Sequence, residues 1–469
     1  MHMPAQPAIA PVRTHPLLPC SSGVSRRRFL TGVGVALGAA WVSRWPLRAA
    51  SPNAALQHAG IGVGGMGWVD LQNFRQHPQV RIAALCDVDE NHLKAAAAAF
   101  PEARLYRDWR ELLATEGDRI DSVHVAVPDH MHYPICQTAI RAAKHVYCQK
   151  PMCHDVAEVR WLTQAASALG VVTQLGIQGA SSTGERMAVQ FLREGRLGKI
   201  QHIYLCSNRP GAIEDYRLPG PRPTRGEPVP PTLDWDLWLG NAPKRPYASG
   251  IYHPVKWRAW LDFGTGWSGD IGCHLFDAVW KGLGLRPPRS VVAKVQSSWK
   301  DSATRRADTW PQGNHITWVF PGNALTADKE LVVDWFDGEF YPPEEIRALY
   351  SVRDYPPESA MVVGTEGAIL ITHASGPILL PEDKFEDLRR PRLEPRNHYH
   401  HFVDACLGTV RNDSHFAQTG PMTEAVLLGT VAIRVPDTKL LWEPETMRIP
   451  NAPDAERHLR RDYREGWTV

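Results

Sequence analysis

The chain has 469 residues, 43% of them hydrophobic and 22% charged, which is typical of an ordinary soluble globular protein of two domains. Its formal charge of +2 comes from the N-terminal segment, because the first 50 residues hold six arginines and no acid. The remainder has 46 basic and 50 acidic side chains, so it offers no basic surface for nucleic acid or for an anionic membrane.

The N-terminal segment has the form of an export signal. Ser25 precedes the pair Arg26–Arg27, and Phe29–Leu30 follow two residues later, which is the twin-arginine arrangement. The apolar run over residues 29–42 is too short and too rich in glycine for a membrane span, although an uncleaved anchor is the alternative. We predict that residues 1–50 are a signal segment. The mature chain is then periplasmic or otherwise extracytoplasmic and has no membrane span.

Cysteine use supports folding before export. Cys20 lies in the predicted signal, and the other seven cysteines are scattered without a C-x-x-C pair. An odd and scattered set of this kind is not a disulfide framework. We therefore expect buried thiols.

The first predicted domain covers residues 51–178 and is an α/β domain. Short apolar runs alternate there with helical patterns, as in βαβ units around a parallel sheet. Strands are predicted at Arg81–Cys86, Ser122–Val127, His145–Cys148 and Val171–Leu175, and helices at Asn91–Phe100, Trp109–Glu116, Tyr133–Ala143 and Val156–Leu169. The strand that precedes them, Gln57–Ile61, has a poor composition for a strand.

The second predicted domain covers residues 179–469 and is an α+β domain. Seven prolines within Pro210–Pro231 predict a long ordered loop. Strands are predicted at Ile200–Ser207, Ser290–Ser298, His315–Phe320, Glu330–Trp335 and Ala368–Thr372, and helices at Glu185–Gly195, His398–Cys406 and Thr423–Val435.

Residues 60–67 read GIGVGGMG and contain the spacing G-x-G-x-x-G. Gly62 suits a tight turn, Gly64 lets the backbone approach a pyrophosphate, and Gly67 lets the following helix pack closely on the sheet. The free N–H groups of that helix then face the phosphates. We predict a dinucleotide site here that also includes Gly65 and Met66.

Asp87 lies 20 residues beyond Gly67, at the end of the next predicted strand. An acid at this position accepts hydrogen bonds from both ribose hydroxyls of an adenosine. The alternative is that Asp87 only caps a helix. Because residues 87, 89 and 90 are all acidic and would repel a 2′-phosphate, we predict NAD rather than NADP.

Two further segments carry candidate catalytic groups. Lys150 follows a predicted strand and precedes Pro151, so its ammonium can reach the crevice at the strand ends. Asp270 and His274 are four residues apart, which puts them on one face of a helix. A histidine held by a carboxylate is a good acceptor for a hydroxyl proton. The alternatives are a surface lysine, a helix cap and a core histidine.

These motifs, with AVPDHMHYP at 126–134, together resemble the Gfo/Idh/MocA oxidoreductases from about residue 56 to the C-terminus. The resemblance implies a Rossmann doubly wound parallel sheet and a C-terminal domain with a large open mixed sheet. It also implies NAD(P)-dependent oxidation or reduction of a sugar, polyol or glycoside, and association as a homodimer or homotetramer. Lys150, Asp270 and His274 match the family's catalytic residues, while Pro128, His132, Gln149 and Gln178 fall where it touches the nicotinamide half.

Gln149 is a departure from this family, whose usual motif is E-K-P, with a glutamate before the lysine. The departure removes a negative charge beside Lys150. This change keeps open a sugar-binding protein of the same fold without activity. The family resemblance also implies a second enzymatic alternative, the redox-neutral cleavage of glycosides with bound NAD.

The remaining candidates concern substrate and metal. The segment IYHPVKWRAW combines ring faces with several donors, so we predict sugar contacts from Tyr252, His253, Lys256, Trp257 and Arg258. The histidine groups at 398–401 and 130–132 lack the closed spacing of a zinc site, and we predict no metal. His130 and His132 are assigned to the cofactor crevice instead.

Overall fold

The computed structural model describes residues 55–209, 221–351, 353–373 and 375–469. The predicted export signal lies outside the described residues, as does the first half of the predicted proline-rich loop. Within the described ranges, no helix has the length and apolar character needed to cross a membrane.

The first half of the chain forms a six-stranded parallel sheet in the order β3-β2-β1-β4-β5-β6. The strands are β1 Leu56–Ile61, β2 Val80–Cys86, β3 Arg104–Tyr106, β4 Ser122–Val125, β5 His145–Gln149 and β6 Thr173–Gly176. This order has the reversal between β1 and β4 that defines a Rossmann sheet, so the predicted fold of this half is confirmed. The strand order also brings the carboxyl ends of β2, β1, β4 and β5 together at one edge.

Strand β1 forms in spite of its composition because its polar side chain has partners inside the sheet. His58 is fully buried, and its Nδ1 lies 2.8 Å from Ser122 Oγ while its Nε2 lies 3.1 Å from His124 Nδ1. Both partners stand on the neighbouring strand β4. A buried polar group is tolerated when it is hydrogen-bonded, and that pairing is not visible in a local strand pattern.

The helices of this half are α1 Gly65–Phe74, α2 Glu90–Ala99, α3 Trp109–Glu116, α4 His132–Arg141 and α5 Val156–Leu169. Aspartates begin three of them. Asp89 and Asp108 accept hydrogen bonds from backbone N–H groups of α2 and α3. Asp155 forms a capping box with Glu158 at the start of α5.

The second half forms an eight-stranded mixed sheet in the order β13-β12-β11-β7-β10-β9-β8-β14. Its strands are β7 Ile200–Ser207, β8 Ser290–Val295, β9 Asn314–Pro321, β10 Glu330–Asp337, β11 Glu358–Gly364, β12 Ala368–Thr372, β13 Ile378–Leu380 and β14 Leu440–Leu441. Strands β7 and β10 pair in parallel, and the other neighbours are antiparallel. The predicted large mixed sheet is confirmed, but the strand predicted to reach Ser298 ends at Val295 because residues 297–300 turn into a helix.

The helices of the second half are α6 Thr183–Arg193, α7 Trp235–Leu239, α8 Gly266–Leu283, α9 Ser297–Lys300, α10 Ala303–Asp308, α11 Glu344–Arg347, α12 His398–Cys406, α13 Phe416–Arg434 and α14 Pro453–Glu456. Helix α8 is almost entirely buried and packs against α6 and α13. Helix α13 begins at Phe416 rather than at the predicted Thr423, since it continues through Pro421.

The last part of the chain packs back on the first half. On α12, Tyr399 and Phe402 join a buried aromatic cluster with Phe74 and Tyr147 of the Rossmann half. Further along, Arg461 donates to the backbone oxygen of His130 at 2.8 Å. The two halves therefore share side-chain contacts at both of these places.

Candidate active site

A cavity of about 800 Å³ lies at the carboxyl edge of the parallel sheet, with walls from both halves. Asp87 follows β2, the glycine loop follows β1, Pro128 follows β4, and Lys150 follows β5. Since neighbouring strands are about 4.8 Å apart, Asp87 and Lys150 are separated by about 14 Å along this edge. We name the part near Asp87 the adenosine end and the part near Lys150 the reacting end.

The glycine loop has the shape that a dinucleotide pyrophosphate requires. Gly62 has a φ of +79°, and a Cβ on it would lie 2.4 Å from the backbone oxygen of Ala126. A Cβ on Gly67 would lie 1.9 Å from the backbone oxygen of Gly62, so this glycine permits α1 to approach the sheet. A Cβ on Gly65 would meet no atom within 4 Å, and Met66 beside it lines the cavity. The start of α1 therefore presents open backbone to the cavity, which fits a bound NAD.

Asp87 is buried and lines the cavity at the adenosine end. Its Oδ2 accepts from Val63 N–H at 2.8 Å, and its Oδ1 accepts from Asp89 N–H at 2.9 Å. The residue that caps α2 is Asp89, so the alternative assignment of Asp87 as the cap is wrong. Two backbone bonds fix the Asp87 carboxylate while its lone pairs can still accept from ribose hydroxyls.

The second half contacts the segment after Asp87 through three interactions, which we name the clasp. Two are backbone hydrogen bonds: Glu90 N–H donates to the Thr232 oxygen at 2.8 Å, and Asp234 N–H donates to the Val88 oxygen at 3.0 Å. Together they form an isolated antiparallel bridge between Asp89 and Leu233. The third interaction joins His253 Nε2 to Asp89 Oδ2 at 3.0 Å.

His92 completes this end of the cavity. Its Nδ1 lies 3.7 Å from Asp87 Oδ2, and this hydrogen-bonding carboxylate raises the pKa of His92. Ligand atoms of Asp89, His92 and His253 all lie within 4.8 Å of one another, a spacing that could hold a cation. The sequence predicted no metal at this position, and the three side chains also serve as contacts between the two halves.

At the reacting end, Lys150 meets Asp270. Lys150 Nζ donates to Asp270 Oδ1 at 2.7 Å, and the lysine is 17% exposed. Helix α8 carries Asp270 to this point, and Arg258 Nε lies 3.6 Å from the other carboxylate oxygen. The fold therefore brings these two predicted catalytic residues together, whereas the sequence analysis expected Asp270 to hold His274.

His274 lies one helical turn beyond Asp270, but it does not line the cavity. Its ring meets the ring of His373 edge-on, with centroids 4.7 Å apart. Its Nδ1 is enclosed and has no hydrogen-bond partner among the described residues. Burial lowers the pKa of His274 well below its usual value, so this imidazole is neutral near pH 7.

Gln149 lines the cavity beside a carboxylate that the sequence reading overlooked. Its Nε2 donates to both oxygens of Asp70 on α1, at 3.0 and 2.9 Å. Tyr399 Oη also donates to Asp70 Oδ1 at 3.0 Å. Burial raises the pKa of Asp70 to about 7. A glutamate at position 149 would face this carboxylate, whereas the glutamine amide can donate to it, which accounts physically for the departure from E-K-P.

Two residues assigned to the nicotinamide half do not line the cavity. His132 is buried, and its ring nitrogens lie 2.7 Å from the Pro151 oxygen and 2.8 Å from the Val127 oxygen. It thus holds the loops after β4 and β5, and its contact with the cofactor stays a prediction. Gln178 is half-buried and donates to Tyr399 Oη at 3.2 Å. Pro128 does line the cavity, as predicted.

The predicted sugar contacts divide into three groups. Tyr252 is 1% exposed and packs among Trp235, Trp260 and Phe263, so in this structure its ring belongs to the core and does not line the cavity. Lys256 does not line the cavity, and His253 lines it at the adenosine end. Trp257 and Arg258 line it and lie in contact, with the guanidinium 4.2 Å from the ring centroid.

The histidine groups weighed for metal have other partners. His398 lies against Ser181 Oγ at 2.8 Å and the Leu175 oxygen at 3.1 Å. His130 is buried between Trp238 and Phe263 and does not line the cavity, so its assignment to the crevice is also wrong.

Three further residues of the reacting end were missed by the sequence reading. Asp129 lines the cavity and accepts from Thr265 N–H and Oγ at 3.1 and 3.0 Å, which ties it to the start of α8. Burial raises the pKa of Asp129 to about 7, with the neighbouring Asp270 adding to the rise. Arg209 and Trp267 line the same wall. Of these three residues, only Asp129 had a signal in the sequence, because it lies within the segment AVPDHMHYP at 126–134 that carries part of the family resemblance.

Comparison with known protein families agrees with this geometry. Residues 56–177 match the GFO_IDH_MocA family, described as "Oxidoreductase family, NAD-binding Rossmann fold". Residues 203–312 match GFO_IDH_MocA_C2, described as "Oxidoreductase family, C-terminal alpha/beta domain". The chain therefore belongs to the Gfo/Idh/MocA oxidoreductase family through both of its domains, and its first domain is an NAD-binding Rossmann domain.

Individual relatives are distant. A D-apiose dehydrogenase of Paraburkholderia graminis is 30% identical over 138 residues, which are 29% of this chain and 36% of that protein. A myo-inositol 2-dehydrogenase of Thermotoga maritima is 23% identical over 175 residues, 37% of this chain and 46% of that one. The chain thus spans less than half the length of these curated relatives.

Solved structures share the fold. The WlbA dehydrogenase of Bordetella pertussis, crystallised with NADH and UDP-GlcNAcA, superposes with a TM-score of 0.58 at 15% identity. The superposition covers 83% of this chain and 99% of that structure.

Proposed function

We propose that this member of the family is an exported NAD-dependent oxidoreductase that acts on a hydroxyl-bearing carbon of a sugar, polyol or glycoside. The observation that carries the proposal is the Lys150–Asp270 pair, 2.7 Å apart, at the end of the cavity opposite Asp87. The dehydrogenases of apiose and myo-inositol among its relatives support the substrate class.

The chain's own residues supply binding and proton transfer. The Gly62–Met66 loop and Asp87 would hold NAD, which when bound accepts a hydride and can give it back. Lys150 donates a hydrogen bond to the reacting oxygen and stabilises negative charge that develops on it. Asp270 fixes the direction of the ammonium, because it accepts from Lys150 Nζ on the far side.

In the proposed reaction His274 accepts the hydroxyl proton, and this step requires its ring to become accessible when substrate binds, because Nδ1 is enclosed and His274 does not line the cavity in this structure. Burial lowers the pKa of His274, so the imidazole is neutral near pH 7. A neutral imidazole can take a proton that a charged one cannot. Asp129 has a pKa of about 7, raised by burial and by the negative charge of Asp270. It is therefore a second group at this end that can gain or lose a proton near neutral pH.

We further propose that NAD stays bound between turnovers. The clasp joins the second half to the segment beside Asp87 with two backbone hydrogen bonds and the His253–Asp89 pair, and we infer that release requires these contacts to open. An exported enzyme has no supply of fresh cytoplasmic NAD, and loading before twin-arginine export would meet this need. The twin-arginine pair itself is a sequence observation.

A trapped cofactor must be restored in every cycle, and the clasp therefore favours a second candidate. Oxidation of a glycoside at C3 would acidify the C2 proton and allow elimination of the aglycone from C1. Return of the hydride to C3 would then leave the substrate cleaved with no net redox change. The third possibility, a sugar-binding protein without turnover, requires that Lys150 and Asp270 serve only to bind.

One preparation tests these candidates. The chain, including its N-terminal segment, is expressed and purified without added cofactor, then denatured, and the nicotinamide dinucleotide released per chain is measured. We expect close to one NAD per chain and reduced-nicotinamide absorbance when a substrate sugar is added. Cleavage of a glycoside without lasting absorbance would favour the redox-neutral candidate. A well-folded protein without NAD, active only with exchangeable NAD, would contradict retention.

Export and assembly are tested separately. Cell fractionation should place the processed chain in the periplasm, and Arg26→Lys with Arg27→Lys should keep it in the cytoplasm. We propose a homodimer or homotetramer, and light scattering of the purified protein should give two or four times the mass of one chain. A single-chain mass would contradict the proposed assembly.

A further inference from the structure

The reacting end of the cavity carries more cationic side chains than the chemistry above requires. Lys150, Arg209 and Arg258 all line this wall. The carboxylates beside them are Asp270 and Asp129, which line the cavity, and Glu358, which pairs with Arg209. Asp270 is shared between Lys150 and Arg258, at 2.7 and 3.6 Å. Asp129, whose pKa is about 7, is only partly ionised near neutral pH.

Arg209 is held so that its guanidinium remains half-exposed. Its Nε lies 3.1 Å from Glu358 Oε2, and Glu358 is only 8% exposed. On another side, the Arg209 guanidinium lies 5.8 Å from the centre of the Trp267 ring. The arginine itself is 53% exposed. Buried Glu358 and the Trp267 ring therefore position this guanidinium, while much of its surface is left available to a ligand.

Arg258 is positioned in a similar way. Its guanidinium lies 4.2 Å from the centroid of Trp257, and its Nε lies beside Asp270. Ring contact and a carboxylate reduce the number of conformations open to the long side chain. Two arginines from different segments of the second half thus line the wall that contains Asp270.

The cofactor's phosphates do not account for these arginines. The pyrophosphate would lie at the glycine loop after β1, whereas Lys150 follows β5, two strands further along the sheet. Arg209 and Arg258 accompany Trp267 and Asp270 of α8 rather than the glycine loop. The two guanidinium groups therefore lie in the part of the cavity that is left for the substrate.

We propose that the substrate is an acidic carbohydrate, a sugar or polyol derivative that carries a carboxylate, sulfate or phosphate, and that Arg209 and Arg258 bind its anionic group. This inference rests on the proposed function, because it specifies the substrate of the same site. The planar guanidinium fork matches the oxygens of all three groups, with charge-assisted hydrogen bonds. A neutral sugar would offer the two guanidinium groups only uncharged acceptors, whose hydrogen bonds are weaker.

The test uses matched pairs on the purified holoenzyme. The methyl glycosides of glucose, galactose and mannose are each compared with the methyl glycoside of the corresponding uronic acid, and glucose is compared with its 6-phosphate and 6-sulfate. Binding is measured by calorimetry and hydride transfer by reduced-nicotinamide absorbance. We expect at least one acidic member to bind ten-fold or more tightly than its neutral partner, with the difference shrinking as salt is added.

Variants assign the effect to the two arginines. Arg258→Gln and Arg209→Gln should each reduce the acid-over-neutral ratio by about ten-fold, and Arg258→Lys should restore part of it because it keeps the charge but loses the fork. Arg289→Gln is the control, since Arg289 is 59% exposed and pairs with Glu330 at the surface. It should leave the ratio unchanged.

The outcomes separate this inference from the proposed function. Oxidation of neutral sugars with no preference for acidic ones would overturn the inference and leave the proposed function standing. Tight binding of an acidic sugar without hydride transfer or cleavage would support the inference and count against the proposed function. Failure of every acidic member to bind would overturn the inference. Comparison of the uronic acids, the 6-phosphate and the 6-sulfate shows which anionic group the two arginines bind.

Discussion

The two ends of the cavity are built in different ways. At the adenosine end, the glycine loop and Asp87 come from one contiguous β1-α1-β2 unit, and the second half adds only the clasp. At the reacting end, Lys150 and Asp270 come from segments 120 residues apart, and Arg209 comes from a third. A site within one local unit is set by spacing along the chain, whereas a site assembled from distant segments depends on how helices pack.

The largest expected effect is a loss of turnover without a loss of NAD, which would show that the reacting end and the adenosine end have different functions. Lys150→Ala should lower kcat by on the order of 10²-fold or more, because it removes the charge that stabilises the developing oxyanion. The same variant should retain its NAD, since Lys150 stands at the reacting end. Turnover and NAD content per chain are the measurements, with His274→Ala as a parallel variant. Wild-type turnover in either variant would remove that residue from the mechanism.

The Asp70–Gln149 contact tests why this chain departs from E-K-P. Gln149→Glu should destabilise the fold by on the order of 2–4 kcal/mol at pH 8, because two buried carboxylates would then be adjacent. The effect should shrink as pH falls through about 7, where Asp70 takes up a proton and can donate to the introduced carboxylate. Adding Asp70→Asn should rescue the variant. Denaturant unfolding across pH measures all three proteins, and equal stability with and without Asp70→Asn would contradict the explanation.

Asp70 also predicts a pH dependence in the wild-type protein. Its pKa is raised on folding from 3.8 to about 7, so the folded state binds the proton more tightly than the unfolded state does. Its contribution to stability is therefore largest below pH 4 and is lost as pH rises from 4 to about 7. Asp70→Asn should become more stable relative to wild type over that range. A constant difference would show that Asp70 is not protonated in the fold.

At the adenosine end, Asp87→Ala should weaken NAD binding by about 1–3 kcal/mol, because a pair of hydrogen bonds to the ribose is lost. It should also narrow the preference for NAD over NADP, since a negative charge is removed. The measurement is the affinity of the refolded, cofactor-free variant and wild-type proteins for NAD and for NADP. If both affinities were unchanged, Asp87 would serve only the backbone bonds that it makes to Val63 and Asp89.

The smallest expected effect concerns the clasp. His253→Ala should speed the release of NAD by about ten-fold at most, since one partly exposed side-chain pair contributes about 1 kcal/mol while the backbone contacts remain. The loss of bound NAD during dialysis measures it. The exposed pair Arg81–Glu102 provides the control variant Arg81→Gln. Identical loss in both variants would show that the backbone contacts alone hold the clasp.

Sequence alone determined the parts of this protein whose signals are local. The alternation of apolar runs and helical patterns predicted the parallel sheet, because each βαβ unit is short and its strands are buried on both faces. The glycine spacing predicted the close contacts of Gly62 and Gly67, and the acid 20 residues later was found at the end of β2. Even β1 was placed correctly, although only the fold showed how His58 is satisfied.

Only the tertiary structure decided which side chains share the reacting end. The pattern along α8 put Asp270 and His274 on one face, but packing against α6 and α13 left Asp270 in the cavity and His274 behind it. Tyr252 packs in an aromatic core, and the ring nitrogens of His132 lie within hydrogen-bond distance of two backbone oxygens. The position of Asp270 beside Lys150 depends on contacts between residues more than a hundred positions apart, for which the local sequence pattern carries no signal.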